Sequence, residues 1–198
     1  MLKRIFNNIR FNVYDFVNYN DFLEYHKDYF MPRINNYDNS CKALPIYITH
    51  LKTSTKSISP ILSFPPRLIE LTWMLEEELP PLLPLNLKHL NIGIYFDEPL
   101  PPLPDSLTEL TFHRSGEYNQ PIQKFPPNLQ VLCLPSDYNQ KLPPLPPTLK
   151  NFYMPRSYNF RYTPLPKNLE FIAMDENSEY SIEELQKITK AEICAHTM

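Results

Sequence analysis

Glycine is almost absent from this chain of 198 residues, which contains only Gly93 and Gly116. Average usage would give about 14 glycines in this length. Nucleotide-binding loops and the nucleophile elbow of hydrolases need clustered glycines, because the backbone must approach a phosphate or turn sharply. The two glycines are too far apart in the sequence to form such a loop. The composition therefore excludes those enzyme classes.

Cysteines, long apolar runs and net charge are also sparse. Cys41, Cys133 and Cys194 are odd in number and widely spaced, which predicts reduced thiols and a cytoplasmic location. No run of about 18 apolar residues occurs, and the start of the chain lacks the apolar core of a signal peptide, so we expect no membrane partner. A net charge of -3 also predicts no nucleic-acid partner.

Proline, in contrast, is abundant, with 23 residues, and its positions are periodic. A Leu-Pro or Phe-Pro pair recurs at intervals of about 20 residues, a period typical of solenoid proteins. The seven pairs begin at Leu44, Phe64, Leu83, Leu103, Phe125, Leu145 and Leu165.

Apolar residues recur at fixed distances after each pair. They stand four, seven and nine positions after its first residue, which gives the unit L-P-x-x-L-x-x-L-x-φ, where φ is apolar. The alternation at the end of the unit predicts a strand with one buried face, and the spacing is that of a short leucine-rich repeat. We therefore predict a mainly β, leucine-rich-repeat-like solenoid over residues 44–176. It has about seven units, parallel strands and extended, proline-rich returns.

A second column runs through the returns, where an aromatic residue is followed by Asn or Asp. Amide side chains at such positions can satisfy backbone groups that a non-helical turn leaves unpaired. We therefore predict a buried ladder of side chains. Its members are Asp97, Asn119, Asn139 and Asn159.

The segments EYNQPI, DYNQKL and LPDSLTELTF resemble FNIP repeats, a leucine-rich-repeat-like family of amoebae and of the large viruses that infect them. The resemblance covers residues 64–174 well and residues 44–63 more loosely. Three units have Tyr where the family has Phe, and the unit that begins at Phe64 lacks the aromatic-Asn pair. The resemblance implies a repeat fold, and a viral protein in its host's cytoplasm would fit it, but it implies no chemistry.

The two ends of the chain differ from the repeats. Residues 1–43 are rich in aromatic residues, and VYDFVNYNDFLEYHKDYF is similar to the later part of an F-box, which implies a Skp1-like partner. An aromatic cap over the first repeat is the other interpretation. Over residues 177–198, Ser181 and Glu184 have the spacing of a capping box, followed by apolar Ile182, Leu185 and Ile188. This pattern predicts a helix that caps the last unit, with a partner-binding helix as the alternative.

The chemistry-bearing residues form no recognisable site. His50 and His89 fall on the same outward column but two strands apart, which is too far for a shared metal ion. The acidic run Glu76, Glu77 and Glu78 is typical of a solvated edge. Free Pro-x-x-P segments bind SH3 or WW domains, but these prolines hold fixed places in a packed repeat. We expect no cofactor, no metal ion and no catalytic residue.

The remaining candidate is the outward face of the strands, six, eight and ten positions after the first residue of each unit. It is polar in the first four units and apolar in the last three, which is typical of a contact surface, unless the C-terminal tail folds back over it. We predict a non-enzymatic module that binds a protein partner there; the alternative is an F-box-type ubiquitin-ligase adaptor. The predicted contact residues are Val131, Cys133, Tyr153, Phe171 and Ala173.

Overall fold

The described residues form one parallel sheet of nine strands, and the strands follow one another in sequence order. This computed structural model describes residues 33–37, 46, 48–53, 63–158, 163–175, 178 and 180–196, with the backbone alone for 33–37 and 196. The strands are β1 Arg33–Tyr37, β2 His50–Thr53, β3 Glu70–Trp73, β4 His89–Ile92, β5 Glu109–Phe112, β6 Val131–Cys133, β7 Asn151–Tyr153, β8 Phe171–Asp175 and β9 Glu192–His196; helix α1 is Ile182–Gln186.

Each sequence repeat forms one strand and one return, so consecutive units stack. Leu71 pairs in register with Leu90, and Leu90 with Leu110, which places equivalent positions of successive units side by side. The backbone joins the strands in a regular way, since the N–H groups of Lys88 and His89 both donate to the carbonyl of Ile69. The predicted leucine-rich-repeat-like solenoid is therefore confirmed.

The three predicted apolar columns form the core. Residues four and seven positions after each repeat start are at most 5% exposed. On the return side, Phe96, Tyr118 and Tyr138 stack at centroid distances of 6.0 Å, with interplanar angles of 13° and 6°. A ring in each unit thus packs on the ring of the next unit, as a solenoid core requires.

The repeated prolines end the returns. In six successive units the N–H of the first core leucine donates to the carbonyl of a proline three residues earlier, as Leu87 does to Pro84 at 3.0 Å. Proline fixes φ near −65° and has no N–H, so it suits a turn whose first residue has no ladder bond to make. The periodic prolines therefore direct the chain into each strand.

Both ends of the sheet extend beyond the predicted repeats. β1 lies inside the segment 1–43 that we predicted to be a cap, and it pairs in parallel with β2. At the other end α1 has the predicted capping box at Ser181 and Glu184. Of the helix residues only Leu185 is buried, and β9, which the sequence analysis did not predict, follows the helix and pairs with β8.

The single tryptophan reports on this core. Trp73 is 1% exposed, and its Nε1–H donates to the carbonyl of Glu77 at 3.0 Å. We expect the folded protein to show blue-shifted tryptophan emission that moves to longer wavelength in urea. Native emission at the wavelength of free tryptophan would contradict the assignment of Trp73 to an inward column.

Candidate interaction surface

The outer face of the sheet consists of two register columns. The first passes through His50, Glu70, His89, Glu109, Val131, Asn151, Phe171 and Glu192; the second passes through Lys52, Thr72, Asn91, Thr111, Cys133, Tyr153, Ala173 and Cys194. These residues alternate with the core residues along each strand, because successive side chains of a strand point to opposite faces.

The N-terminal half of the outer face is polar and internally paired. His50 Nε2 lies 3.6 Å from a carboxylate oxygen of Glu70, and His89 Nε2 lies 4.0 Å from one of Glu109. The two histidines occupy separate strands with Glu70 between them, as the sequence predicted. The described residues contain no group of three or more His, Cys, Asp or Glu side chains that could hold a metal ion.

The C-terminal half of the outer face is apolar. Tyr153 and Phe171 occupy neighbouring strands, and their ring centroids lie 5.7 Å apart at 57°. Both are half-buried, as are Val131 and Cys133. The Cys133 thiol donates to the carbonyl of Phe112 at 3.5 Å, and burial raises its pKa, so at neutral pH the side chain remains an uncharged thiol. The four residues thus present a small apolar area on a rigid sheet.

Ala173 does not belong to that accessible area. It lies in the predicted outward column but is only 3% exposed. Its methyl group is short, and its register neighbours are the larger Tyr153 on β7 and Cys194 on β9. The prediction of Ala173 as an exposed contact was therefore wrong. The C-terminal tail adds β9 to the sheet edge through residue 196, so this part of the chain does not cover the outer face.

Two arginines make long-range contacts at the carboxyl ends of the strands, which no sequence motif indicated. Arg114 Nη1 donates to the carbonyls of Leu134 and Met154, at 2.7 and 2.9 Å. Arg156 lies 2.8 Å from Asp137 and 3.1 Å from Asp175.

Arg114 and Arg156 therefore each contact two repeat units other than their own. Asp175, which the repeat pattern placed outward, is 2% exposed, and Arg156 Nη2 lies 3.1 Å from one of its carboxylate oxygens. The acidic partners Asp175 and Asp137 raise the pKa of Arg156, whereas burial lowers the pKa of Arg114. Both side chains stay charged, because a guanidinium does not lose its proton in proteins.

The predicted ladder residues are hydrogen-bonded to one another, but at the surface. Asp97 Oδ1 accepts from the N–H of Asn119 at 2.8 Å, and Asn119 Oδ1 accepts from the N–H of Asn139 at 3.0 Å. Asp97 and Asn139 are exposed and Asn119 is half-buried, so the prediction of a buried ladder was wrong. The aromatic residues before them fill the core and leave the polar side chains outside. Asn159 lies outside the described residues.

A shallow polar groove borders the apolar half of the outer face. It has a volume of about 410 Å³ and is lined by Gln130, Pro147, Thr148, Lys150, Asn168 and Glu170. Within it Lys150 Nζ lies 2.8 Å from a carboxylate oxygen of Glu170. A partner on the apolar residues would therefore also meet an exposed ion pair and amide groups.

In the described part of the chain, no helix has the length and apolar character needed to cross a membrane.

Comparison with known proteins supports the fold and leaves the family open. No family model and no curated protein matches the chain. Its structure is similar to the crystal structure of CroV588, a circular leucine-rich-repeat protein from a giant virus, with a TM-score of 0.50 and 22% sequence identity. The similarity covers 83% of this chain and 32% of the other, so the chain spans about a third of that protein.

Proposed function

We propose that the protein is a non-enzymatic interaction module that binds a protein partner through the apolar half of its outer face. The observation that carries the proposal is the half-buried pair Tyr153 and Phe171 on neighbouring strands. A parallel sheet fixes the positions of these rings before binding, so little conformational entropy is lost when a partner covers them. Aromatic residues in rigid patches are frequent hot spots of protein interfaces.

The surroundings of the rings define the kind of partner. The exposed pair Lys150 and Glu170 and the polar N-terminal half of the outer face border the apolar residues. An interface with an apolar centre and a polar rim is the usual arrangement in protein complexes. We therefore expect a folded protein partner that contributes an apolar residue opposite Tyr153 and polar groups around it.

Substitution of Tyr153 tests this function. Tyr153→Arg should leave folding nearly unchanged, because a surface substitution usually alters stability by about 0.5 kcal/mol. Partner affinity should fall about thirtyfold, which corresponds to about 2 kcal/mol. The measurement is affinity capture from the native cell with mass spectrometry, followed by titration of the captured protein against both variants.

Thr72→Arg is the matched control, because Thr72 occupies the same column on β3, in the polar half of the outer face. It should capture the same partner as the unmodified protein. Equal binding by the Tyr153→Arg and Thr72→Arg variants would place the contact surface elsewhere. Unfolding of the Tyr153→Arg variant would show that Tyr153 is buried and that the register of β7 is wrong.

The second candidate function is that of an F-box-type ubiquitin-ligase adaptor in an FNIP-like protein of the cytoplasm. It depends on VYDFVNYNDFLEYHKDYF, which lies outside the described residues. In this proposal the segment binds a Skp1-like protein while the outer face holds the substrate. A purified Skp1-like protein should bind the full chain and fail to bind a variant without residues 1–31, which retains β1. Equal binding by both chains, or binding by neither, would exclude the adaptor.

A further inference from the structure

The outer edge of β9 carries backbone groups that no strand of the described residues pairs with. The N–H of Glu192 donates to Glu170 at 2.8 Å, so the backbone groups of Glu192 face β8. Backbone direction alternates along a strand, and the N–H and C=O groups of Ile193 and Ala195 therefore face away from the sheet. They are the next places at which the ladder can grow.

This edge lacks the usual protection against pairing. Edge strands are commonly blocked by lysine, proline or a bulge. β9 has the sequence EICAH, with neither lysine nor proline, and its register with β8 runs unbroken over five residue pairs. β9 thus has no bulge that would prevent another strand from pairing with it.

Within the described residues, the core is also uncovered beside β9. Ile193 and Ala195 continue the core columns of Ile172 and Met174, which are 0% and 4% exposed. The two β9 residues are only half-buried, and no further unit among the described residues packs on them. In the same terminal unit Ile182 and Ile188 are 38% and 48% exposed. A surface that covers this edge must offer apolar groups opposite Ile193 and Ala195.

We propose that a second copy of this chain provides the cover, by antiparallel pairing of β9 with β9 about a two-fold axis perpendicular to the sheet. The register that pairs all five residues is centred on Cys194. It sets Ile193 opposite Ala195 of the second copy, and Glu192 opposite His196 of the second copy. Core residues thus meet core residues on one side of the joined sheet.

The sequence of β9 is self-complementary in this antiparallel pairing. Ile193 and Ala195, whose backbone groups face outward, form the hydrogen-bonded pairs of the antiparallel ladder. The larger Ile193 of one copy thus faces the smaller Ala195 of the other at both of these pairs. Two-fold interfaces present the same surface from both copies, which requires this kind of self-complementary sequence.

Ala195→Pro tests the pairing without removing a bond inside the protein. Its N–H faces outward, and proline is tolerated on an edge strand at such a position. The unmodified protein should have twice the monomer mass of 23.5 kDa in light scattering at micromolar concentration. The Ala195→Pro variant should dimerise at least about tenfold more weakly, since each dimer loses two hydrogen bonds. Ala195→Val keeps the N–H and should remain dimeric.

Oxidation tests the register independently. Opposed residues at a non-hydrogen-bonded position have Cα atoms about 4.5 Å apart, within the range of a disulfide. Diamide should therefore join Cys194 of both copies: the two thiols lose two electrons and two protons, and diamide is reduced to its hydrazine. A disulfide-linked dimer should form in the Cys133→Ser variant and fail to form in the Cys194→Ser variant.

Three results would overturn the proposal. The first is a protein that remains monomeric up to millimolar concentration. The second is a dimer that Ala195→Pro leaves unchanged, or that cross-links through another cysteine. The third is growth into trimers or longer assemblies, which would indicate head-to-tail contact of unlike ends instead of a two-fold pair. If Ala195→Pro fails to fold, the mass of the unmodified protein and the cysteine cross-link still decide.

Discussion

Raising the pH above 10 should unfold the protein in one steep step. Three core tyrosines cause this, because Tyr118, Tyr138 and Tyr158 are at most 4% exposed. Burial raises the pKa of Tyr138 to about 12. It raises the pKa of Tyr118 and Tyr158 further above the usual value of 10, with smaller contributions from neighbouring tyrosines. All three therefore stay protonated in the folded protein while the unfolded chain loses its protons.

The direction of the effect follows from proton binding. Between pH 10 and the folded pKa values the unfolded state binds fewer protons than the folded state, so the free energy of unfolding falls as pH rises. A single group contributes up to about 1.4 kcal/mol per pH unit. Three groups contribute about 4 kcal/mol per pH unit, and a typical domain has only about 5–15 kcal/mol of stability. Below pH 10 these tyrosines give no pH dependence.

Tyrosinate absorbance at 295 nm and circular dichroism, recorded against pH, measure the step. Exposed tyrosines should ionise first, near pH 10. The remaining rise in absorbance, which comes from the buried tyrosines, should coincide with the loss of the sheet signal in circular dichroism. Tyr118→Phe is the informative variant, because the Tyr118 hydroxyl has no hydrogen-bond partner among the described residues. It should keep its stability at pH 7 and lose about a third of the slope above pH 10. Gradual ionisation of every tyrosine with intact dichroism would contradict the prediction.

The fold could be predicted from the apolar columns of the sequence repeat. Leu71, Leu90 and Leu110 occupy one column of the sequence and one line of the core, because each unit contacts only its neighbours. A pattern that recurs seven times also averages out local exceptions, such as Thr53 in the column of Trp73. The inward or outward direction of Tyr153 follows from the period of two, and the half-buried outer position agrees with it.

The repeat pattern could not predict features that depend on the length of a side chain or that occur in a single unit. Arg114 contacts carbonyls of two other units, which no spacing in the sequence encodes. β9 has no proline pair before it, so its membership of the sheet had no repeat signal. Ala173 and Asp175 follow the strand alternation but are buried by neighbours that belong to other units. Column analysis predicts which way a residue points but does not predict what covers it.

Phe152 and Phe171 provide the sharpest test of this architecture, because they are the same residue type on opposite faces of neighbouring strands. Phe152 is fully buried, and its ring meets that of Tyr158 edge to face at 5.1 Å. Phe152→Ala should cost about 3–5 kcal/mol, since the transfer free energy of the ring and the cavity add. Phe171→Ala removes a half-buried ring from the outer face and should cost about 1 kcal/mol. Urea unfolding followed by circular dichroism measures both values.

The Phe152→Ala variant also shows whether the solenoid unfolds as one unit. Trp73 lies on β3 and reports on the N-terminal units, whereas circular dichroism reports on the whole sheet. The unmodified protein should give coincident transitions by both probes. In a solenoid the cost of Phe152→Ala falls on β7 and its neighbours, so β7 to β9 should unfold first and the dichroism transition should precede that of Trp73. Phe171→Ala should keep the two transitions together. Coincident transitions in the Phe152→Ala variant would show that the nine strands unfold as one cooperative body.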